Sequence, residues 1–170
     1  YAPMLAKVLK EYNSPVPVIW NSSGYEKAET LKMLEGLVDI YLPDLKYFDT
    51  DLAARYSDAP DYFPTALSAL REMLRQAGKP QLDGDGIMGR GVIVRHLVLP
   101  GQTADSKDVI DRFSDLCGKR AYLSLMRQYT PPRTCLHPEL MRPITDGEYD
   151  EVVGYAELLG ITRLFLQESE

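Results

Sequence analysis

The sequence predicts an α/β fold built on a parallel sheet. Short aliphatic runs alternate with amphipathic helical stretches, glycines sit where the helices should stop, and the aliphatic runs lack strict period-two alternation. Strands separated by helices of these lengths imply right-handed crossovers, and near-continuous apolar strands imply a sheet covered on both faces. With 170 residues, 45% of them hydrophobic, the chain has room for one domain with a real core, residues 1–170. About five strands are expected, and the pattern alone fits a barrel and an open doubly wound sheet equally.

Residues 1–12 start directly in a helical pattern, with Met4, Leu5, Val8, Leu9 and Tyr12 on one face. Such an abrupt start reads as a chain that begins partway through its fold. Pro15 and Pro17 end that helix and lead into a strand over 16–20, which closes on the polar segment Asn21-Ser22-Ser23-Gly24. A helix over 26–34 stops at Gly36, and a second strand over 37–42 ends at Pro43-Asp44-Leu45-Lys46. Residues 49–77 are helical again, with Leu67, Leu70, Leu74 and Ala77 on one stripe. A break at 58–64 divides that stretch into two helices.

The next strand, 92–99, is β-branched and aliphatic except for the adjacent pair Arg95 and His96, and it ends at Pro100-Gly101. Val109, Ile110, Phe113, Leu116 and Cys117 form a helix face ended by Gly118, and the strand 121–126 runs into Arg127-Gln128-Tyr129-Thr130-Pro131. Thr145 and Glu148 make a capping box for a helix with Tyr149, Val152, Val153, Ala156 and Leu159 on its apolar face. Gly160 then precedes a last strand over 161–166.

Several function classes drop out. The net charge is −6 and the Lys and Arg residues are scattered, so no basic face for nucleic acid is expected. No apolar run reaches the ~20 residues of a membrane span and no leader opens the chain, so it reads as cytoplasmic. Cys117 and Cys135 are the two cysteines, without a CxxC pair, and Cys117 reads as core. Residues 84–89 match GxGxxG, but a dinucleotide fingerprint follows a strand and this one precedes it, so the segment reads as a turn. Asp83 and Asp85 lack the remaining ligands of a calcium loop, and Cys135 with His137 does not complete a metal site. No metal ligand is assigned.

Strand ends carry more weight, because parallel α/β folds bind ligands at the carboxyl ends of their strands. Four successive ends hold Asn21 and Ser23, Asp44 and Lys46, Arg95 and His96, and Gln128 and Tyr129. Asp44 and Lys46 are one residue apart, so in extended chain they point the same way and offer an acceptor and a cation to hydroxyls and a carboxylate. Each pair also has a plain structural reading, as helix caps for the serines and as an ion pair for Asp44 and Lys46.

The segments VIWNSSGY, VDIYLPDLKYFD, GIMGRGVIVRHLVLPG and LSLMRQYTP, in this order and spacing, resemble the later segments of radical S-adenosylmethionine proteins related to pyruvate formate-lyase-activating enzyme. The resemblance spans essentially the whole chain. It implies a partial parallel (βα) barrel, similar to a TIM barrel, lacking its first units at the N-terminus. It also implies a four-iron–four-sulfur cluster on a CxxxCxxC motif that cleaves S-adenosylmethionine to a 5′-deoxyadenosyl radical. That motif and a glycine-rich GGEP-like strand end have no counterpart in these residues, so the chain is expected to be the C-terminal part of a longer protein. Alone it is expected to be inactive and to retain neither cofactor, and no catalytic residue is assigned to it.

Matched segment by segment, the resemblance implies that Asn21 and Ser23 lie near the methionine moiety and that Asp44 and Lys46 hold ribose hydroxyls and carboxylate. Arg95 then helps neutralise the carboxylate, Leu97 lies against the adenine, and Tyr129 takes the place of a histidine near it. Asn21 stands where the activating enzyme has an aspartate, which turns a charge-assisted hydrogen bond into a neutral one. His96 reads as a packed or substrate-facing histidine and not a catalytic one, and Gln128 joins it as a candidate to face the substrate. The implied partners are a glycyl-radical enzyme as protein substrate and a flavodoxin or ferredoxin as electron donor, and the unpaired edge at 16–20 is open to self-association. Two other readings remain: a cluster-free barrel lyase in which Lys46 forms a Schiff base, and a non-catalytic ligand-binding domain.

Overall fold

A computed structural model describes residues 2–12, 15–134 and 136–167. Helix α1 (Ala2–Glu11) precedes strand β1 (Ile19–Ser22), helix α2 (Ala28–Lys32) and strand β2 (Ile40–Pro43). Helices α3 (Thr50–Ser57) and α4 (Tyr62–Ala77) follow, then a short strand β3 (Gln81–Leu82) and the long β4 (Met88–Leu97). Helix α5 (Thr103–Cys117), strand β5 (Tyr122–Met126), helix α6 (Asp146–Leu158) and strand β6 (Leu164–Leu166) complete the order.

The main sheet runs β1-β2-β4-β5-β6, every neighbouring pair parallel, and β3 adds to β4 as an antiparallel flap. This order decides between the two architectures. A doubly wound sheet reverses direction at a switch point, whereas here each crossover moves one strand further the same way. Right-handed crossovers in one direction put the crossover helices α2, α4, α5 and α6 on one face, and the twisted sheet curls with its other face concave, as in part of a barrel.

The burial of β4 follows. Val92, Val94, His96 and Val98 are buried under the helices, while Ile93, Arg95, Leu97 and Leu99 alternate with them on the concave face and are half-buried. The expected cover on both faces is therefore complete only on the helix side. There α4 contributes Ala69, Leu70 and Met73, α5 contributes Val109, Ile110 and Phe113, and α6 contributes Val152 and Ala156. Cys117 is core, and burial pushes its thiol up to about 12.

Boundaries shift for physical reasons. Pro15 and Pro17 offer no N–H, and the Val18 N–H donates to the Asp39 carboxylate at 2.8 Å, so ladder pairing begins at Ile19↔Ile40 and Asn21 and Ser22 fall inside β1. The break between α3 and α4 is made by Asp58 in the left-handed conformation, φ 51°. Residues 83–87 form a turn in which Asp83 Oδ1 accepts from the N–H groups of Asp85 and Ile87, so the GxGxxG match is a hairpin connection between β3 and β4. The capping box of α6 is present as read. The stripe expected on the first helix is only partly covered: Leu5 and Leu9 are half-buried, Met4, Val8 and Tyr12 are exposed, and Ala6 meets the core. No helix among the described residues is long and apolar enough to cross a membrane.

Candidate functional site

The sheet register brings distant residues into rows. Asp44 bridges to Arg95, Arg95 pairs with Ser124, and Leu97 pairs with Met126. Parallel partners point to the same face, so Asp44, Arg95 and Ser124 cross the concave face as one row, and Leu97 and Met126 form the next row toward the strand ends. Lys46, two residues beyond Asp44, joins them. These residues, with Tyr47, Gln128 and Tyr129, wall a cavity of ≈ 520 Å³ that is roofed by Tyr56, His137 and Leu140.

Asp44, Lys46 and Arg95 put one more cation than anion in the wall. The Arg95 Nη2 lies 2.6 Å from Asp44 Oδ1 and the Lys46 Nζ lies 3.9 Å from Asp44 Oδ2. The close Arg95 contact lies off the direction of a hydrogen bond, so Asp44 Oδ1 and Arg95 Nε are both buried without a hydrogen-bond partner among the described residues. The charge of Asp44 is nevertheless balanced by the two neighbouring cations, and the parts of Asp44, Lys46 and Arg95 that remain accessible are what the wall presents to the cavity.

The roof is held by polar contacts between elements far apart in sequence. Arg55 pairs with Glu139 at 2.7 Å, the Tyr56 hydroxyl donates to Glu139 at 2.8 Å, and Tyr56 packs edge-on against His137. Burial, with the Glu139 carboxylate second, pushes the Tyr56 hydroxyl up to about 12, so it acts as a donor. The Tyr129 hydroxyl donates to the Leu140 carbonyl at 2.9 Å. Neither Tyr47 nor the Tyr56–His137–Glu139 group was expected from sequence, because no linear spacing connects 55–56 with 137–139. Tyr47 carried a signal, since it adjoins Lys46 in the segment that ends β2.

Of the residues singled out in sequence, the fold brings together Asp44, Lys46, Arg95, Leu97, Gln128 and Tyr129. Asn21 and Ser23 are exposed on the edge strand and its loop and do not line the cavity, although Asn21 pairs with Leu42 and so shares the concave face. Of the two readings of His96, the substrate-facing one is corrected and the packed one holds. His96 is 1% exposed, on the helix side of β4, with Nδ1 2.7 Å from the Leu45 carbonyl and Nε2 2.9 Å from the Ser106 hydroxyl. A carbonyl can only accept, so Nδ1 carries the proton and Nε2 accepts from Ser106. Burial lowers its pKa to about 4, which keeps the ring neutral. Cys135, half of the cysteine–histidine pair weighed above, lies outside the described residues.

Asp105 at the start of α5 is 8% exposed, and its Oδ1 accepts from the N–H groups of Phe48 and Asp49 at 3.1 and 2.7 Å. Burial raises its pKa to about 6 against 3.8, the two N–H bonds oppose this, and the nearby Asp49 and Asp108 add to it. Between pH 3.8 and about 6 the folded chain therefore holds a proton that the unfolded chain has lost. This contribution to stability is full at low pH and disappears as pH rises through that window. Asp105→Asn keeps the acceptor oxygen and removes the titration. The stability difference between Asp105→Asn and wild type, measured by urea unfolding, is expected to shift in favour of the variant from pH 4 to pH 7. A difference independent of pH contradicts the assignment.

The fold and the site together define a partial parallel α/β barrel with one mixed-charge cavity at its strand ends. Among solved structures, the chain is similar to a domain of pyruvate-formate lyase-activating enzyme from Bacteroides vulgatus, with a TM-score of 0.69 at 14% identity, over 98% of this chain and 91% of that one. The two share a fold. In sequence, the chain is 26% identical over 162 residues to an uncharacterized protein of Methanocaldococcus jannaschii, covering 95% of this chain and 44% of the relative. The chain thus spans less than half the length of the curated relative it matches. No family model matches it.

Proposed function

We propose that this chain is the S-adenosylmethionine-gripping part of a radical enzyme of the pyruvate formate-lyase-activating type. The observation that carries the reading is the convergence of Asp44, Lys46 and Arg95 with Leu97 and Tyr129 on the wall of one cavity of ≈ 520 Å³. The donor set suits the ligand: Arg95 and Lys46 face a carboxylate, Asp44 accepts from hydroxyls or an ammonium, and Leu97 and Tyr129 offer apolar and aromatic surface to adenine. The activating-enzyme fold supports it further.

In such an enzyme the four-iron–four-sulfur cluster supplies the electron that cleaves the sulfonium. No group of three or more His, Cys, Asp and Glu among the described residues is arranged to hold a metal ion, so these residues do not fit the cluster. Their work is to bind and orient, placing the ligand so that a reaction centred elsewhere meets it in line. A glycyl-radical enzyme as substrate and a flavodoxin or ferredoxin as reductant complete the reading.

The test uses the full gene product, reconstituted anaerobically with iron and sulfide and reduced with dithionite. The expected result is three cysteines at CxxxCxxC spacing upstream of Tyr1 and release of 5′-deoxyadenosine and methionine from S-adenosylmethionine. A gene product without those cysteines, or one that binds S-adenosylmethionine without cleaving it, overturns the reading.

A further inference from the structure

The residues that carry Lys46 and begin α3 form an irregular segment, 44–49, between a strand and a helix. Its main chain is held almost entirely by groups from elsewhere in the fold. The Leu45 N–H donates to the Arg95 carbonyl at 2.8 Å, and the Lys46 N–H donates to the Tyr62 hydroxyl at 3.1 Å. The Leu45 carbonyl accepts from His96 Nδ1, and the N–H groups of Phe48 and Asp49 both donate to Asp105 Oδ1. His96 is held in turn by Ser106, the neighbour of Asp105 in the first turns of α5.

A histidine and an aspartate are expensive to bury, and none of the three polar side chains His96, Asp105 and Ser106 lines the cavity. Their bonds go to main-chain groups on both sides of Lys46 and Tyr47, two cavity residues, and to the residue that caps α3, which carries Tyr56 into the roof. An apolar pair of similar size would fill the same volume without fixing those groups.

We propose that His96 and Asp105 are positioning residues for the cavity: together they clamp the main chain of residues 45–49 and so set where the Lys46 ammonium and the Tyr56 ring stand relative to a bound ligand. This rests on the cavity being a ligand site. Without the clamp the segment loses three of its fixed hydrogen bonds, and the Lys46 side chain spreads over several orientations instead of one.

Two pairs of variants test it. His96→Phe and Asp105→Leu break the clamp at roughly constant volume. His96→Asn keeps a donor near the Leu45 carbonyl, and Asp105→Asn keeps the acceptor for Phe48 and Asp49. The readouts, taken on the full gene product, are the 13C shift of the reductively dimethylated Lys46 amine, assigned with Lys46→Arg, and the Kd for S-adenosylmethionine. The breaking variants are expected to move the Lys46 signal and raise Kd about tenfold, with the conserving variants within about twofold of wild type. Breaking variants that fold and keep both the wild-type signal and affinity overturn the clamp.

If wild type does not bind S-adenosylmethionine, the ligand reading fails and the Lys46 signal alone decides the clamp. If a breaking variant does not fold, amide hydrogen exchange on wild type decides it. Phe48 and Asp49 are expected to exchange as slowly as the central residues of β4, and exchange as fast as that of residues 130–134 overturns it.

Discussion

Gly24→Ala is expected to destabilise the chain by about 3 kcal/mol or more, a loss that heat or urea unfolding reads directly. Gly24 is buried at φ 75°, where a Cβ is strained, and a Cβ built there falls 2.1 Å from the Asp44 carbonyl oxygen. That obstacle is main chain, so no rotamer change relieves it. The Asp44 carbonyl is within reach of the Tyr62 hydroxyl, which also meets the Ser23 carbonyl and the Lys46 N–H. Relief therefore requires moving the end of β2 and the carboxylate it carries into the cavity. Gly24→Ala is expected to weaken any ligand of the cavity even where it still folds, and a variant with wild-type stability contradicts the close packing of this loop on β2.

Arg95→Gln is expected to lower the affinity for S-adenosylmethionine by tenfold or more, because removing one member of a largely desolvated charge group costs ~2 kcal/mol or more. Two effects combine. The ligand carboxylate loses its planar donor, and Asp44 loses its nearest cation, 2.6 Å away. Adenosine, which has no carboxylate, separates binding from folding: its affinity is expected to change much less. Equal losses for both ligands assign Arg95 to the architecture of the wall and not to carboxylate recognition.

Much of the fold was readable because its signals are local. Aliphatic runs, glycines after helices and the Thr145–Glu148 box mark elements within a few residues of themselves. The choice between barrel and doubly wound sheet was not local, since it depends on strand order, and short loops fit both. Arg95 and His96 show where a sequence reading needed one more step. Adjacent residues on a strand face opposite sides, so only one of the pair could reach a shared site. The bridge from Asp44 to Arg95 selects which, and that pairing joins residues 51 positions apart. The roof formed by Tyr56, His137 and Glu139 left no pattern in the sequence, because its contacts span 83 positions and depend on how the segment after β5 folds back over α3. Asn21 and Ser23 lie at the end of β1 and still outside the cavity, since β1 is the edge strand of the sheet.

A strand-end cavity that grips S-adenosylmethionine through Asp44, Lys46 and Arg95, as proposed, must respond to that ligand at its own lining residues. Titration of the 15N-labelled full gene product with S-adenosylmethionine at millimolar concentration, followed by two-dimensional NMR, reads this grip residue by residue. Saturable shifts are expected at Lys46, Arg95, Leu97, Gln128 and Tyr129, with residues of the α5–α6 surface unmoved and the shifts lost in Arg95→Gln. Shifts that map elsewhere, or none at these residues up to the solubility limit, show that this cavity does not hold S-adenosylmethionine.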